Sequence, residues 1–211
     1  MLNLVHRARL PEHPKGRRWP AVVMVHGWQG TEAVMGIFER CVPAGTIIVS
    51  PRAPLEVAPQ SYGWFREEDG QAAFEAGVDA LQSFVRQLPD TYPVEPTWVV
   101  AMGFSQGAAM CYSLLLRAPE LMLGVAALAG FLPERARPWL APGRLAGKQV
   151  FVSHGDDDET VALPFARAAR NDLARAGAEV EYHEYEGVGH KLNAQGMRDL
   201  SQWLAARVSP D

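Results

Sequence analysis

The chain has 211 residues, of which 48% are hydrophobic and 21% are charged. This size and composition fit one globular α/β domain over residues 1–211, with little room for insertions. The net charge of −4 argues against general electrostatic binding to nucleic acid or to anionic membranes.

Short apolar strands alternate with helical segments along the chain. β-Branched content predicts buried strands at 21–25, 46–50, 97–104, 124–129 and 149–153. The alternating pattern of 178–185 suits an edge strand, and 2–10 is a candidate antiparallel strand at the other edge. Helical periodicity covers 71–88, 163–176 and 194–208. These elements indicate a mostly parallel sheet with helices on both faces.

One segment is weakly patterned. Residues 132–148 are rich in Pro, Arg and Gly and connect two predicted strands. We predict a short helix with irregular flanks there, and the segment is a candidate for a minimal lid.

The two cysteines, Cys41 and Cys111, do not make a disulfide framework. Both lie in apolar helical contexts, which predicts buried free thiols. Residues 1–7 lack the apolar core of a signal peptide, and no apolar stretch in the sequence is long enough for a membrane span. We therefore expect a cytoplasmic protein without stable membrane association.

The sequence Gly-Phe-Ser-Gln-Gly at 103–107 joins the predicted strand 97–104 to a predicted helix. A serine flanked two residues away on each side by glycine, on such a turn, is the pattern of a nucleophile elbow. Side chains larger than hydrogen at Gly103 or Gly107 would crowd this turn. The pattern predicts Ser105 as a nucleophile, and the alternative is a strand-ending turn that contains serine by chance.

A nucleophilic serine needs a base, and the base must be held by a third group. His190 follows the strand 178–185 and is the best candidate base of the six histidines. Its alternative is a capping or surface histidine before a helix. The acid should come from the run of carboxylates at 156–159, where Asp158 and Asp156 are candidates and spacing alone does not choose.

The remaining histidines have plainer interpretations. Two lie in the polar N-terminal segment, one lies in a strand and is expected to face solvent, and two precede glycines in turns. These are, in that order, His6 and His13, His183, and His26 and His154.

Two backbone N–H groups are predicted to form an oxyanion hole. One belongs to Gln106, the residue after the serine, and the other to the loop 26–30 that follows the strand 21–25. We choose Trp28 in that loop, and the alternative is that His26 and Gly27 form only a strand-to-loop turn.

Together these motifs resemble the phospholipase/carboxylesterase family of small α/β-hydrolases, which includes acyl-protein thioesterases and bacterial carboxylesterases. The resemblance covers residues 22 to about 204. The matching segments are Val25-His26-Gly27, Ser-Pro-Arg-Ala-Pro at 50–54, Gly-Trp-Phe at 63–65, the elbow at 103–107, Ala-Gly-Phe-Leu-Pro at 129–133, His154-Gly155-x-x-Asp158-x-x-Val161 and Gly189-His190. The chain departs from the family at Gln29, where the family usually has glycine.

The resemblance implies an α/β-hydrolase fold with Ser105 as nucleophile, Asp158 as acid and His190 as base. It also implies that the N–H groups of Trp28 and Gln106 stabilise the oxyanion. No cofactor and no metal are implied.

Aromatic and aliphatic residues on the loops expected around the serine are predicted to form an apolar acyl pocket. They are Trp28, Trp64, Phe65, Phe131 and Leu132. For Trp64 and Phe65 the alternative is that they pin their loop to the core. Tryptophans at the entrance favour short or medium acyl chains. The acidic run 67–69 is interpreted as an exposed face that caps the next helix.

We therefore expect a serine carboxylesterase that acts on small-molecule esters of short to medium acyl chain through an acyl-enzyme. The alternatives are a thioesterase, lysophospholipase, lactonase or amidase with the same triad, or a non-catalytic α/β-hydrolase that binds a small ligand. The sequence leaves the oligomeric state open, with a homodimer among the alternatives.

Overall fold

The computed structural model describes residues 2–12 and 16–209, so His13 lies outside the described residues. The strands are β1 (His6–Arg9), β2 (Trp19–Val25), β3 (Ile47–Pro51), β4 (Leu55–Ala58), β5 (Ser61–Gly63), β6 (Val94–Phe104), β7 (Gly124–Leu128), β8 (Gln149–Gly155) and β9 (Glu179–Tyr185). The α-helices are α1 (Gln71–Thr91), α2 (Gln106–Arg117), α3 (Leu163–Arg175) and α4 (Ala194–Val208). Short 3-10 helices cover Val34–Cys41, Pro119–Leu121 and Glu134–Trp139.

Among the described residues, the main sheet has seven strands in the order β1-β3-β2-β6-β7-β8-β9. Strand β1 pairs with β3 antiparallel at one edge, and every other pairing in this sheet is parallel. The predicted mostly parallel sheet and its antiparallel edge strand are confirmed. Because the parallel strands end at the same edge, the loops after β2, β6, β8 and β9 meet there.

Strand β2 shows why the strands read as continuous apolar runs. Ala21, Val23 and Val25 belong to a core cluster on one face of the sheet, and Val22 and Met24 belong to a cluster on the other. Both faces are buried, so every position in the strand is apolar. Helices α1, α2 and α3 contribute to the first cluster, and α4 with the 3-10 helix Val34–Cys41 contributes to the second. The predicted helices on both faces are confirmed.

The hairpin of β4 and β5 was not predicted from the sequence. Its strands are short, and the register of their pairing changes between Glu56 and Ala58. The sequence therefore shows no clear alternation of polar and apolar residues there. The N–H of Tyr62 in β5 donates to the carbonyl of Gly30 over 3.0 Å. The hairpin therefore supports the loop that follows β2.

The connection 132–148 contains the predicted short helix, as the 3-10 helix Glu134–Trp139. It is held against the body of the protein. Arg137 pairs with Asp172 of α3 at 2.5 Å, and the guanidinium of Arg144 donates to the carbonyl oxygen of Leu116. Leu145 is also fully buried, so the segment is anchored to the body of the protein at these three points.

Two further predictions concern the cysteines and the membrane. Cys41 and Cys111 are buried free thiols, as predicted, and burial raises the pKa of each. Within residues 2–12 and 16–209, the helices are too short or too polar to cross a lipid bilayer.

Candidate active site

Ser105 lies on a strained turn between β6 and α2. Its backbone has φ +54° and ψ −120°, a conformation that residues other than glycine rarely adopt. A Cβ on Gly103 would lie 2.3 Å from the backbone of Gly107, and one on Gly107 would lie 2.0 Å from the carbonyl oxygen of Val25. Neither position can accept a side chain unless the neighbouring backbone shifts, so the two glycines follow from the geometry of the turn.

Asp158 and His190 come together from the loops after β8 and β9. Oδ2 of Asp158 lies 2.7 Å from Nδ1 of His190, while Oδ1 accepts the N–H groups of Thr160 and Val161 at 2.9 and 2.8 Å. Burial alone would raise the pKa of Asp158, but the bonds from Val161 and His190 outweigh it and keep the pKa below its usual value. The carboxylate is therefore ionised at neutral pH and accepts the Nδ1–H of His190.

The other acidic candidate, Asp156, takes a different position. Its Oδ1 accepts the N–H of Gly187 over 2.7 Å, at the surface. A Cβ on Gly155 would lie 1.9 Å from the carbonyl oxygen of Val188, so the two loops are in close contact there. Asp156 thus holds the loops together, and Asp158 is the carboxylate beside His190.

The sequence predicted His154 to be a turn residue. In the structure it lies within β8, and its side chain is fully buried. Its Nε2 lies 2.7 Å from the carbonyl oxygen of Val161 and 3.4 Å from Oδ2 of Asp158. A carbonyl only accepts, so Nε2 carries the proton. His154 therefore supports the turn that presents Asp158. In the sequence, the sign of this role was that His154 stands four residues before Asp158, at the end of a predicted strand.

His183 also differs from expectation. It lies in β9, as predicted, but it is half-buried rather than facing solvent. Its ring lies tilted against Phe151 at 5.2 Å and stacks on Tyr185 at 6.1 Å between ring centroids. His6 lies in β1 and its Nε2 is 2.8 Å from the hydroxyl of Tyr92. Both residues pack within the fold.

The loop after β2 lies directly beside the elbow. A Cβ on Gly27 would lie 3.3 Å from the Cβ of Ser105, which places the peptide of Trp28 next to the serine. Gln29 has φ +59°, a left-handed conformation that glycine adopts without cost. The N–H of Gly30 donates to the carbonyl of Gly27 over 3.1 Å. Gln29 thus occupies the glycine position of the family with a glycine-like backbone.

His26 anchors this loop from below. Its Nε2 accepts the N–H of Ala53 at 3.0 Å, so Nδ1 carries the proton and donates to the carbonyl of Gly27 at 2.8 Å. Burial lowers the pKa of His26, which keeps the ring neutral and Nε2 free to accept. Glu32 and Arg52 form a bidentate pair at 2.6 Å that holds the far end of the loop.

The side chain of Gln106 makes two hydrogen bonds that were not predicted from the sequence. Its Oε1 accepts the N–H of Trp64 at 2.9 Å, and its Nε2 donates to the carbonyl of Phe65 at 2.8 Å. The side chain is buried at the start of α2. Gln106 therefore fixes the backbone of the loop at 64–65 beside the serine.

Two cavities meet at Thr160. The first, named here the Ser105 cavity, has a volume of about 530 Å³ and is lined by Ser105, His190, Trp28 and Thr160 among others. The second, named here the Phe65 cavity, measures about 440 Å³. Its walls include Phe65, Phe131, Leu132, Val161, Phe165 and Thr160. Of the five apolar residues predicted for the pocket, Trp28 lines the Ser105 cavity, whereas Phe65, Phe131 and Leu132 line the Phe65 cavity.

Trp64 lines neither of these cavities. It is 2% exposed, and its indole N–H donates to the carbonyl of His26 over 2.9 Å. This is the alternative interpretation, in which Trp64 pins its loop to the core. Phe65 is also buried, but its side chain reaches the wall of the Phe65 cavity.

The two cavities differ in their charged lining residues. Glu67, Glu134 and Arg135 line the Phe65 cavity, so part of the acidic run 67–69 borders the site. The guanidinium of Arg135 donates to the carbonyls of Arg66 and Glu67. In the part of the chain that the structure describes, no group of three or more His, Cys, Asp and Glu side chains could hold a metal ion.

The fold and the strained strand-to-helix elbow define an α/β-hydrolase. The family model described as phospholipase/carboxylesterase matches residues 12–208. The chain belongs to this family, as its motifs predicted.

Named relatives agree with this assignment, and a solved structure shares the fold. Acyl-protein thioesterase 1 of Mycosarcoma maydis is 32% identical over 181 residues, covering 74% of this chain and 75% of that protein. A probable carboxylesterase of Arabidopsis thaliana, SOBER1-like, is 32% identical over 116 residues, which cover 54% of this chain and 44% of that protein. The match thus spans less than half of the plant protein. The Bacillus cereus carboxylesterase superposes with a TM-score of 0.84 over 97% of this chain and 95% of that one. At 21% identity this likeness concerns the fold alone.

Proposed function

We propose that the protein is a serine carboxylesterase that hydrolyses small esters of short to medium acyl chain through an acyl-enzyme. The observation that carries the proposal is the 2.7 Å hydrogen bond between Asp158 and His190, beside the cavity that both His190 and Ser105 line. Membership of the phospholipase/carboxylesterase family supports the same conclusion.

In the first half of the reaction, Oγ of Ser105 attacks the ester carbonyl carbon and its proton passes to Nε2 of His190. The resulting tetrahedral intermediate collapses, the bond to the alcohol oxygen breaks, and His190 returns the proton to the departing alcohol. Asp158 is ionised and stabilises the transient imidazolium, because its carboxylate faces the Nδ1–H. Water then attacks the acyl-enzyme by the same proton route and releases the acid.

The negative oxygen of the intermediate needs N–H donors fixed in place before the reaction. The N–H groups of Gln106 and Trp28 are suited to this role, since one follows the serine and the other lies on the loop that packs against it. His26 and the pair of Glu32 with Arg52 hold that loop in place. A rigid loop supports oxyanion binding because no reorganisation is needed during the reaction.

The acyl chain is assigned to the Phe65 cavity. Phe65, Phe131 and Leu132 give it an apolar wall, which favours hydrocarbon over polar acyl groups. Its volume of about 440 Å³ is bounded by Glu134 and Arg135, so a short or medium chain fits better than a long one.

A thioesterase is the second candidate, because the relative from Mycosarcoma maydis is named an acyl-protein thioesterase. The same residues would release a thiol in place of an alcohol. Comparing kcat/KM for octanoyl esters and thioesters with matched leaving groups distinguishes the two candidates.

The test of the proposal is hydrolysis of p-nitrophenyl acetate, butyrate, octanoate and palmitate by the wild type and by Ser105→Ala. We expect the activity to disappear with Ser105 and to peak at butyrate or octanoate. A fluorophosphonate probe should label the wild type and leave Ser105→Ala unlabelled. Activity that survives the substitution refutes the assignment of Ser105, and activity that rises steadily to palmitate refutes the chain length.

A further inference from the structure

The Ser105 cavity has apolar walls and an exposed apolar rim. Val34 and Ile37, on the 3-10 helix Val34–Cys41, line it although they are 48% and 63% exposed, and Trp28 is 41% exposed beside them. Deeper lining comes from Met35, Phe38, Phe104, Leu192 and Met197. An exposed apolar set of this kind around a reactive serine marks a surface that contacts ligand.

His190 lines the Ser105 cavity and is absent from the described lining of the Phe65 cavity. In ester cleavage the departing alcohol oxygen must receive its proton from the base, so the alcohol half lies on the side of the base. The acyl half stays bonded to Oγ of Ser105 and extends away from that side. Thr160, which lines both cavities, stands between them.

The charges in this cavity restrict which alcohol it accepts. Of its described lining residues, Lys191 carries a full positive charge and none carries a carboxylate. Asp158 is buried behind the His190 ring and is already bonded to it. A cationic alcohol would therefore leave water for apolar walls and a like charge, without a counter-ion. The rings of Phe38 and Phe104 pack against each other, and Phe104 also packs against His190. The remaining aromatic ring of the described lining is that of Trp28, which is 41% exposed, and a cation–π contact at an exposed ring offsets only part of this cost.

Resting on the proposed function, we infer that the Ser105 cavity binds the alcohol half of the ester and selects neutral, apolar alcohols over cationic ones. The Phe65 cavity then receives the acyl half. Specificity for the leaving group resides in the 3-10 helix Val34–Cys41 and Trp28, whereas specificity for chain length resides on the other side of Thr160.

Two isosteric esters test the inference. Butyrylcholine and 3,3-dimethylbutyl butyrate have the same shape and differ by the charge on the alcohol. We expect the wild type to favour the neutral ester by about tenfold or more in kcat/KM, a difference that corresponds to about 1.4 kcal/mol. Equal kcat/KM values, or a preference for choline, would overturn the inference.

A pair of matched variants locates the selectivity. Ile37→Glu adds a carboxylate at the rim of the Ser105 cavity, and Phe165→Glu adds one at the Phe65 cavity, where that phenylalanine is 57% exposed. Ile37→Glu should narrow the preference for the neutral alcohol to about threefold or less, leaving the acyl-chain profile as it is. Phe165→Glu should do the reverse, lowering activity on octanoate and keeping the alcohol ratio. Exchanged effects would mean that the two halves bind the other way round.

Failure of this inference differs from failure of the proposed function. If the wild type neither cleaves p-nitrophenyl esters nor reacts with the fluorophosphonate probe, the proposed function fails and the inference falls with it. If those assays depend on Ser105 and the two isosteric esters react equally, the assignment of the alcohol cavity alone is wrong.

Discussion

His154 and Asp158 share one buried turn at the end of β8, with Nε2 of His154 3.4 Å from Oδ2 of Asp158. The same nitrogen lies 2.7 Å from the carbonyl of Val161, whose own N–H binds Oδ1 of Asp158. The backbone of Val161 is thus held at both of its polar groups: its carbonyl accepts a bond from His154, and its N–H donates one to Asp158. Because Oδ2 also bonds His190, the position of the proposed base depends on this arrangement.

Substitutions of His154 can distinguish a role in positioning Asp158 and His190 from a role in the stability of the fold. A Gln side chain places an N–H close to the position of Nε2, while Leu removes the donor and leaves the buried carbonyl of Val161 unpaired at a cost of about 1–3 kcal/mol. We expect His154→Leu to lower kcat about tenfold or more with KM little changed. His154→Gln should retain kcat to within about threefold of the wild type.

The readouts are steady-state kinetics, the rate of fluorophosphonate labelling of Ser105, and thermal unfolding. A merely structural role for His154 would lower the melting temperature without slowing labelling of the folded enzyme. Equal loss of kcat in the Gln and Leu variants would contradict the role of the Nε2–H donor.

Asp158→Asn tests the carboxylate itself. The amide oxygen can still accept the N–H groups of Thr160 and Val161, but an amide group then faces Nδ1 of His190 in place of a charged oxygen. We expect kcat to fall by about 10³–10⁴-fold, because the ring is no longer held in the tautomer that frees Nε2. Asp156→Asn is the matched control and should keep kcat near the wild-type value, since the side chain of Asp156 accepts the N–H of Gly187, away from His190, and an amide oxygen can accept the same bond.

The depressed pKa of Asp158 also predicts how stability depends on pH. A carboxyl group whose pKa is lower in the folded state stabilises the fold above its unfolded pKa, and the stabilisation is lost as pH falls through the folded pKa. The difference in unfolding free energy between wild type and Asp158→Asn should therefore be present at about pH 5 and shrink as the pH falls below about 4. Urea titrations at several pH values measure it. A difference that stays constant down to about pH 2 would contradict the lowered pKa.

The sequence predicted the central strands well because each is buried on both faces. Strand β7, for example, is apolar at every position after Gly124, and no alternation had to be recognised. The elbow at 103–107 was recognisable for a related reason. Its two glycines are required by contacts of 2.3 Å or less, so they stand at fixed distances from the serine.

Other features depend on contacts between distant segments, which leave no local pattern. The bonds from Gln106 to Trp64 and Phe65 span about forty residues of sequence, and a glutamine after the serine gives no sign of them. The division of the apolar residues between two cavities has the same origin. Trp64 and Phe65 are adjacent in sequence, yet one indole points to His26 and one ring reaches the Phe65 cavity.

Removing the side chain of Gln106 should affect acyl specificity without removing its backbone N–H. Gln106→Ala leaves the N–H of Trp64 and the carbonyl of Phe65 unpaired in a buried site, which should lower the unfolding free energy by about 2–4 kcal/mol. Because Phe65 lines the Phe65 cavity, kcat/KM should fall more for octanoate than for acetate.

Gln87→Ala is the control for this loss of a glutamine. Gln87 lies on α1 and its Nε2 donates to Oγ of Ser83 over 2.8 Å, in a partly buried position. Its removal should cost less than about 1 kcal/mol and leave the ratio of octanoate to acetate unchanged. A parallel fall in activity for both esters in Gln106→Ala would show that Gln106 does not shape the acyl side.

Gln29 provides the last prediction, because its backbone is left-handed at φ +59° in the loop that carries the Trp28 N–H. A β-branched residue is strongly disfavoured in this conformation, whereas glycine adopts it freely. Gln29→Val should lower the unfolding free energy by about 1–2 kcal/mol and lower kcat, since the loop must shift to relieve the strain. Gln29→Gly should keep the unfolding free energy within about 1 kcal/mol of the wild type.

Gln60 is a matched control, since it has φ +57° in the turn between β4 and β5 and lies outside the described lining of both cavities. Gln60→Val carries the same backbone strain and should lose similar stability, but it should keep kcat. Denaturant unfolding and kinetics on p-nitrophenyl butyrate compare the variants. If both valine variants lose kcat equally, general destabilisation explains the loss. If Gln29→Val alone loses it, the loop after β2 takes part in the reaction, as oxyanion binding by the N–H of Trp28 requires.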